Sequence, residues 1–321
     1  MHQAPSTKNR LALIDMGTNT FHLLIVEMPS VPGEKPLELM RTKAGVRLGE
    51  GGISKGEIAP EAYSRALHTM RGFKEEIDLH EVTEVRATAT SAMRVSSNGP
   101  ALVREIAEQT GIEVEIIAGA REAELIWEGV RQAVDLGSEP QLIMDVGGGS
   151  TEFIIADHRT IFWKQSFEIG AQRLLDKFFT TPEGIMEAAD VAAERGYLTE
   201  KLAPLTAAVA HFRPVALVGA SGSFDTLADL QAGRVHTEAE QPPVRDLALE
   251  SFQASFHQLL SLNHEQRVAL PGMFPMRANM LVVAAVLIDY VLSTYGLTRI
   301  RTSAYALKEG LLAEVLRNAN F

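Results

Sequence analysis

The sequence predicts an α/β protein built from two related halves. Three observations carry that prediction. First, one pattern occurs twice: Ile14-Asp15-Met16-Gly17-Thr18-Asn19-Thr20 leads into the apolar residues 21–26, and Met144-Asp145-Val146-Gly147-Gly148-Gly149-Ser150 leads into 151–156. Second, Asp15 and Asp145 stand 130 positions apart, about one domain length. Third, strand-like and helix-like segments alternate between and after the two copies.

Each copy reads as apolar strand, Asp, apolar residue, Gly, small residues, hydroxyl residue, second apolar strand. A β-hairpin fits this order, with glycine expected to supply a positive φ in the turn. Leu23-Leu24-Ile25-Val26 is apolar on both alternating faces, so that strand is expected between two layers. Residues 37–46 read as a strand, 61–77 as a helix and 84–89 as a short strand. Residues 100–109 read as a helix with Gly111 in a capping position. Residues 113–117 alternate as a strand, and 121–134 read as a helix. After the second hairpin come a strand at 160–167 and helices at 170–178, 183–195 and 200–210. Residues 215–218 form a short apolar strand running into Gly219-Ala220-Ser221-Gly222-Ser223, and a helix at 224–231 follows. Residues 235–243 read as a loop. Helices are expected at 245–260, 275–295 and 306–316, with a strand at 298–301.

Composition narrows the function. The 321 residues are 46% hydrophobic and 22% charged, as in an ordinary globular protein. Cysteine is absent, which excludes disulfides and Cys-based zinc sites. None of the nine histidines has another four residues away, so a helical zinc pair is missing too. A net charge of −11 speaks against nucleic acid or an anionic membrane surface as partner. Residues 1–10 lack the apolar core of a signal peptide. The longest apolar run, 280–288, is far short of the roughly 20 residues of a membrane span and reads as a buried helix. A cytoplasmic location is expected.

Two Asp-x-Gly hairpins can make a phosphate clamp. Backbone N–H groups of Gly-rich turns form anion-binding nests, and Thr18, Asn19, Thr20, Ser150 and Thr151 add side-chain donors. Asp15 and Asp145 suit a divalent cation, since Mg²⁺ takes a few carboxylates together with phosphate oxygens. Taken singly, each motif is better read as a plain hairpin turn; two in matching contexts one domain apart favour a ligand. Three consecutive glycines at 147–149 point to close backbone approach. Glu152 occupies the place of His22 in the first copy, so the halves are chemically unequal. Gly222 and Ser223 stand between a strand and a helix, which suits either an anion at a helix N-terminus or an ordinary tight turn. No P-loop and no nucleophile elbow occurs.

From position 11 to about 316 the chain resembles the exopolyphosphatase / guanosine pentaphosphate phosphatase family of the actin-like superfold. The resemblance rests on IDMGTNTFHLL at 14–24, VRLGEGG at 46–52, ATATSAMRVSSN at 87–98, GAREAELIWEGV at 119–130, DVGGGSTEF at 145–153, SFEIGAQRLLDKF at 166–178 and VGASGS at 218–223. It implies two actin-like (ribonuclease H-like) α/β domains with an active cleft between them. The first would comprise 1–119, with a C-terminal helix from 306–321 packing back on it, and the second 120–305. By the same resemblance Glu122 is the catalytic glutamate that orients or deprotonates water, and Glu152 is a second acidic residue of the site. Arg94 contacts phosphate, and Gly17, Thr18, Asn19, Gly148, Gly149, Ser150 and Thr151 belong to phosphate-binding turns, next to Gly147.

The implied reaction is release of orthophosphate from the end of inorganic polyphosphate with Mg²⁺. Guanosine pentaphosphate (pppGpp) is the alternative substrate. An ATP-dependent kinase or a nucleotide-gated binding protein of the same superfold are further alternatives, and a homodimer stays open. Three departures stand out. The family usually reads Glu-Glu-Ala-Arg where Arg121-Glu122-Ala123-Glu124 stands here. Asn279 replaces a usual Asp. Longer relatives carry an added helical C-terminal domain that this chain lacks, so processive degradation of long polymers is not expected.

Overall fold

Leu23, Leu24, Ile25 and Val26 need cover on both faces of their strand, and the computed structural model buries all four. The structure describes residues 9–31, 34–237 and 240–318. Residues 1–8 of the segment assessed as a leader, part of the 235–243 loop and the end of the 306–321 segment lie outside them. The described residues fall into two units. One runs up to Ala118 and resumes at Leu311; the other is Gly119–Gly310.

The first unit contains β1 (Arg10–Met16), β2 (Phe21–Glu27), β3 (Leu37–Ala44), α1 (Pro60–Leu79), β4 (Glu84–Ala89), α2 (Ser91–Val95), α3 (Gly99–Thr110) and β5 (Val114–Ile116). Its five strands lie in the order β3-β2-β1-β4-β5. The β1–β2 and β2–β3 pairs are antiparallel, while β4 and β5 join in parallel. One sheet face, with Ile14, Met16, Leu23 and Ile25, packs in a core with Met70 and Phe73 of α1 and Leu102 and Ile106 of α3.

The second unit contains α4 (Gly119–Ala133), β6 (Gln141–Val146), β7 (Thr151–Ala156), β8 (Ile161–Phe167), α5 (Ala171–Phe178), α6 (Ala188–Lys201), α7 (Ala203–Phe212), β9 (Leu217–Ala220), α8 (Ser221–Ala232), β10 (Val244–Leu247), α9 (Leu249–Ser261), α10 (His264–Val268), α11 (Met280–Tyr295) and β11 (Ile300–Ser303). The last helix, α12 (Leu307–Asn318), begins in this unit. The strand order is β10-β11-β9-β6-β7-β8. Leaving out β10, the series β8-β7-β6-β9-β11 repeats β3-β2-β1-β4-β5, with the same parallel and antiparallel pairings. The sequence repeat is therefore a repeat of topology. Register carries it to single residues: Asp15 pairs with His22 in one sheet, Asp145 with Glu152 in the other.

Several element boundaries differ from the sequence reading. Residues 244–247 form β10, paired antiparallel with β11, where a helix was expected; the helix starts at Leu249. The helix expected at 275–295 begins at Met280, after a 3₁₀ turn at Pro275–Arg277. The helix expected at 183–195 lies at Ala188–Lys201, and the one expected at 224–231 opens three residues earlier, at Ser221. Neither Gly17 nor Gly147 has a positive φ. Their lack of a side chain serves close approach instead, since a Cβ would stand 3.0 Å from the Thr20 carbonyl oxygen at Gly17 and 2.9 Å from that of Ser150 at Gly147. Met280–Tyr295 is a buried helix, and among the described residues no helix is long and apolar enough to cross a membrane.

One buried charge has no structural use. Glu194 on α6 is 0% exposed, and neither carboxylate oxygen has a hydrogen-bond partner. Burial pushes its carboxyl well above the usual carboxylate range. Between the ordinary value, about 4.3, and the raised one, the folded chain keeps a proton that the unfolded chain releases, so stability falls as pH rises. Glu194→Met keeps the side-chain length and removes the acid. It is expected to stabilise the protein by about 1–3 kcal/mol at pH 8 in urea denaturation, with a smaller gain at pH 5.

Candidate active site

The β6–β7 hairpin ends in three glycines, and their orientation is set by the helix that follows β8. At the start of α5 the backbone N–H groups of Gly170, Ala171 and Gln172 donate to the carbonyls of Gly149, Gly147 and Gly148, at 3.1, 2.8 and 2.9 Å. The Arg173 Nε adds a 2.9 Å bond to the Gly149 carbonyl. In a trans peptide the N–H of the next residue points opposite the carbonyl. Pinning these three carbonyls on α5 therefore turns the N–H groups of Gly148, Gly149 and Ser150 away from it. Three adjacent N–H groups turned the same way make an anion nest. Gly170 permits the approach: a Cβ there would stand 2.5 Å from the carbonyl carbon of Gly149.

The first hairpin achieves the same orientation by another route. The carbonyls of Thr18 and Asn19 accept from the N–H groups of Gly49 and Arg47, at 3.0 and 2.8 Å. That turns the N–H groups of Asn19 and Thr20 away from the 45–52 loop. Arg47 adopts a φ of 49° to make its bond. A Cβ on Gly49 would stand 2.6 Å from the Thr18 methyl group. Arg94 sits on the short helix α2 of the same unit, and its Nη1 is anchored on the Ile117 carbonyl at 3.1 Å.

Around the second hairpin, buried acids gather. Glu122 lies in the first turn of α4 and is 7% exposed; Asp145 is 6% and Glu152 1% exposed. Burial pushes the Glu152 carboxyl well above the usual range, and the charges of Glu122 and Asp145 push it the same way. Hydroxyls of Ser166, at 2.6 Å, and Ser150 hydrogen-bond Glu152 and oppose the rise. Burial likewise pushes Asp145 up to about 6; a hydrogen bond from Ser221 lowers it, and the charge of Asp225 raises it. A buried carboxyl raised by two neighbouring carboxylates is costly to the fold, a mark of sites kept for chemistry.

The other residues singled out in the sequence fall into distinct places. Asp15 is the last residue but one of β1 in the first unit, level with Thr88 of β4. Thr151 is fully buried and its hydroxyl donates to the Ile169 carbonyl, so only its backbone faces the turn. Gly222 and Ser223 lie in the first turn of α8, beside Ser221. Glu124, the swapped charge next to Glu122, pairs with Lys164 at 2.6 Å and Arg121 at 3.3 Å, which ties α4 to β8. At Asn279 the side chain meets the His264 ring at 2.8 Å. The sequence reading missed Gly170, Ser166 and Ser221. Ser166 was out of its reach: straight counting along the β7–β8 hairpin sets Gln165 opposite Glu152, and a bulge at Ile155/Ala156 shifts the register by one to bring Ser166 there.

Two units of one sheet design, each with a sheet whose first two strands form an Asp-bearing hairpin, define a protein of the two-domain actin-like superfold. Residues 30–319 match the Ppx/GppA phosphatase family, and the chain belongs to that family. It is thus a phosphatase. Its relatives agree. An exopolyphosphatase from Cytophaga hutchinsonii, known from a crystal structure, is 44% identical, with a TM-score of 0.90 over 97% of this chain and 98% of that one. Exopolyphosphatase 2 of Mycobacterium tuberculosis is 30% identical over 291 residues, 87% of this chain and 89% of the relative. A Ppx/GppA family member from Aquifex aeolicus, 20% identical, has the same fold, with a TM-score of 0.79 over 98% of this chain and 99% of that one.

Proposed function

We propose that the protein is an exopolyphosphatase, releasing orthophosphate from the end of an inorganic polyphosphate chain. The observation that carries this reading is the buried set Glu122, Asp145 and Glu152 beside the pinned turn at Gly147–Gly149. Phosphoryl transfer asks a protein mainly to position groups and neutralise charge. The N–H groups of Gly148, Gly149 and Ser150 hold the oxygens of the terminal phosphoryl group. Glu122 orients the attacking water and takes its proton. Glu152, which binds a proton tightly, donates a hydrogen bond to a phosphate oxygen in its protonated form. Ser223, in the first turn of α8, adds a hydroxyl donor. In the first unit, the Thr18–Asn19 turn, Gly17 and Arg94 are assigned to phosphate oxygens as well.

A divalent cation fits the second hairpin. Asp145 and the hydroxyls near it offer oxygen donors, and a bound cation would offset the cost of ionising that buried carboxyl. Among the described residues no group of three or more acids and histidines is arranged to cage a metal. Mg²⁺ would accordingly be held in the second unit by Asp145 and complete its shell from water and substrate; within its own unit Asp15 is the carboxylate at the equivalent place of the first hairpin. Once bound, it would supply charge neutralisation on the phosphate oxygens.

The test is orthophosphate release with Mg²⁺ from polyphosphates of several lengths, guanosine pentaphosphate and ATP. Polyphosphate is expected to give the highest kcat/KM. A preference for guanosine pentaphosphate would move the substrate to the alarmone, and turnover of none of them would refute the reading.

A further inference from the structure

Four described residues other than glycine have a positive φ: Arg47, Glu81, Arg213 and Ser221. A Cβ makes that region unfavourable, and glycine adopts it freely. Arg213 ends α7, Glu81 follows α1, and Arg47 clamps the first hairpin. Ser221, with a φ of 68°, opens α8 directly after Ala220, the residue paired with Asp145 across β6 and β9. The register sets Ser221 one residue beyond the Asp145–Ala220 pair, and its hydroxyl acts on the Asp145 carboxyl, lowering it against the effect of burial. Glycine at 221 would adopt this bend without the penalty, so the serine hydroxyl is what the position gains in exchange.

Arg277 secures this bend. Its guanidinium occupies the space that a side chain at Gly222 would need. Its Nη1 donates to the Gly222 carbonyl at 2.6 Å and to the Thr226 hydroxyl at 3.1 Å, and Thr226 donates to the same carbonyl at 2.9 Å. The first turn of α8 is therefore held from the 3₁₀ turn at Pro275–Arg277, more than fifty residues along the chain. Gly222, assigned from sequence to phosphate, has a steric reason of its own to be glycine.

We propose that Ser221 is a positioning residue of the hydrolytic site: its hydroxyl fixes the Asp145 carboxylate, and Arg277 holds Ser221 in the backbone conformation that brings the hydroxyl there. The inference rests on Asp145 belonging to the site described above. Neither residue touches substrate in this scheme; both act through Asp145.

Three substitutions separate the hydroxyl from the backbone. Ser221→Gly relieves the bend and removes the hydroxyl. It is expected to lower kcat by about 10- to 100-fold, with KM little changed. It should also melt roughly 2–4 °C above Ser221→Ala, which loses the hydroxyl and keeps the bend. Ser221→Asn, which tolerates the left-handed region and keeps a donor, should recover part of the kcat. A purely structural role predicts the opposite ranking, with Ser221→Gly as active as wild type, and that result overturns the proposal. Crystal structures of wild type and Ser221→Gly without substrate supply a readout independent of turnover. Asp145 is expected in one rotamer in the first and displaced in the second. An unmoved Asp145 overturns the inference even if the protein hydrolyses polyphosphate. A displaced Asp145 upholds it even if polyphosphate is not the substrate.

Discussion

Glu122→Gln is expected to lower kcat by about 10²–10⁴-fold, the usual worth of a general base, while KM stays nearly constant. The substitution keeps the shape of the side chain in the first turn of α4, where Glu122 is buried. It leaves untouched the N–H groups proposed above for phosphate, so substrate binding is expected to persist. A second consequence follows from electrostatics. The charge of Glu122 is one of the causes that hold the Glu152 carboxyl above its ordinary range. Removing it lets Glu152 ionise more easily in the folded state. A carboxyl raised by folding loses stability as pH climbs through its raised value, so relaxing the rise restores stability on the alkaline side. Glu122→Gln should therefore melt above wild type at pH 8 and show a smaller difference at pH 4.5, measured by thermal denaturation. Loss of turnover together with a gain in stability is the signature of an acid kept for function. An inactive variant that also melts lower at pH 8 would mean that Glu122 is structural.

Gly170→Ala should be nearly as damaging, for a mechanical reason. The new methyl would meet backbone atoms of Gly148 and Gly149, which cannot rotate away as a side chain can. Either the triple-glycine turn moves or the start of α5 does, and both break the bonds that pin the Gly147, Gly148 and Gly149 carbonyls. A displacement near 1 Å at a turn with the proposed phosphate-binding role costs roughly 10²-fold in rate, and overpacking costs about 1–3 kcal/mol in stability. Gly49→Ala is the informative contrast, because there the nearest atom is the flexible Thr18 methyl group. Its loss should be smaller and largely repaired by adding Thr18→Ser, which removes that methyl. Gly170→Ala has no such repair. Steady-state kinetics and thermal melts of the variants check all of this, and wild-type turnover in Gly170→Ala would show that α5 does not orient the turn.

The repeat was legible because an Asp-x-Gly hairpin is a local object, written in a few consecutive residues. Its consequence, the common strand order of the two sheets, followed from repeating one design. The pairing of Asp145 with Glu152 followed equally well, since hairpin register counts outward from the turn. What escaped were features made by distant parts of the chain. Arg277 meets Gly222 only after α9 and α10 have returned the chain to α8. The segment Val244–Leu247 runs straight into helix-forming residues, and pairing with Ile300–Ser303 makes it a strand. At Gly17 and Gly147 the expected positive φ is absent, and close contact with the carbonyl oxygens of Thr20 and Ser150 is what leaves no room for a side chain. The role of Gly170 was hidden for the same reason, since nothing in its neighbours announces which loop will lie against it.

The central claim is that water attacks the terminal phosphorus of a phosphoanhydride chain. The most direct test is polyphosphate hydrolysis in ¹⁸O-labelled water, with mass analysis of the orthophosphate released in single turnovers. Attack at the terminal phosphorus predicts one ¹⁸O in each released orthophosphate and none in the shortened chain. Unlabelled orthophosphate, with the label at the new chain end, would place the attack on the penultimate phosphorus and contradict the roles given to Glu122 and the Gly147–Gly149 turn.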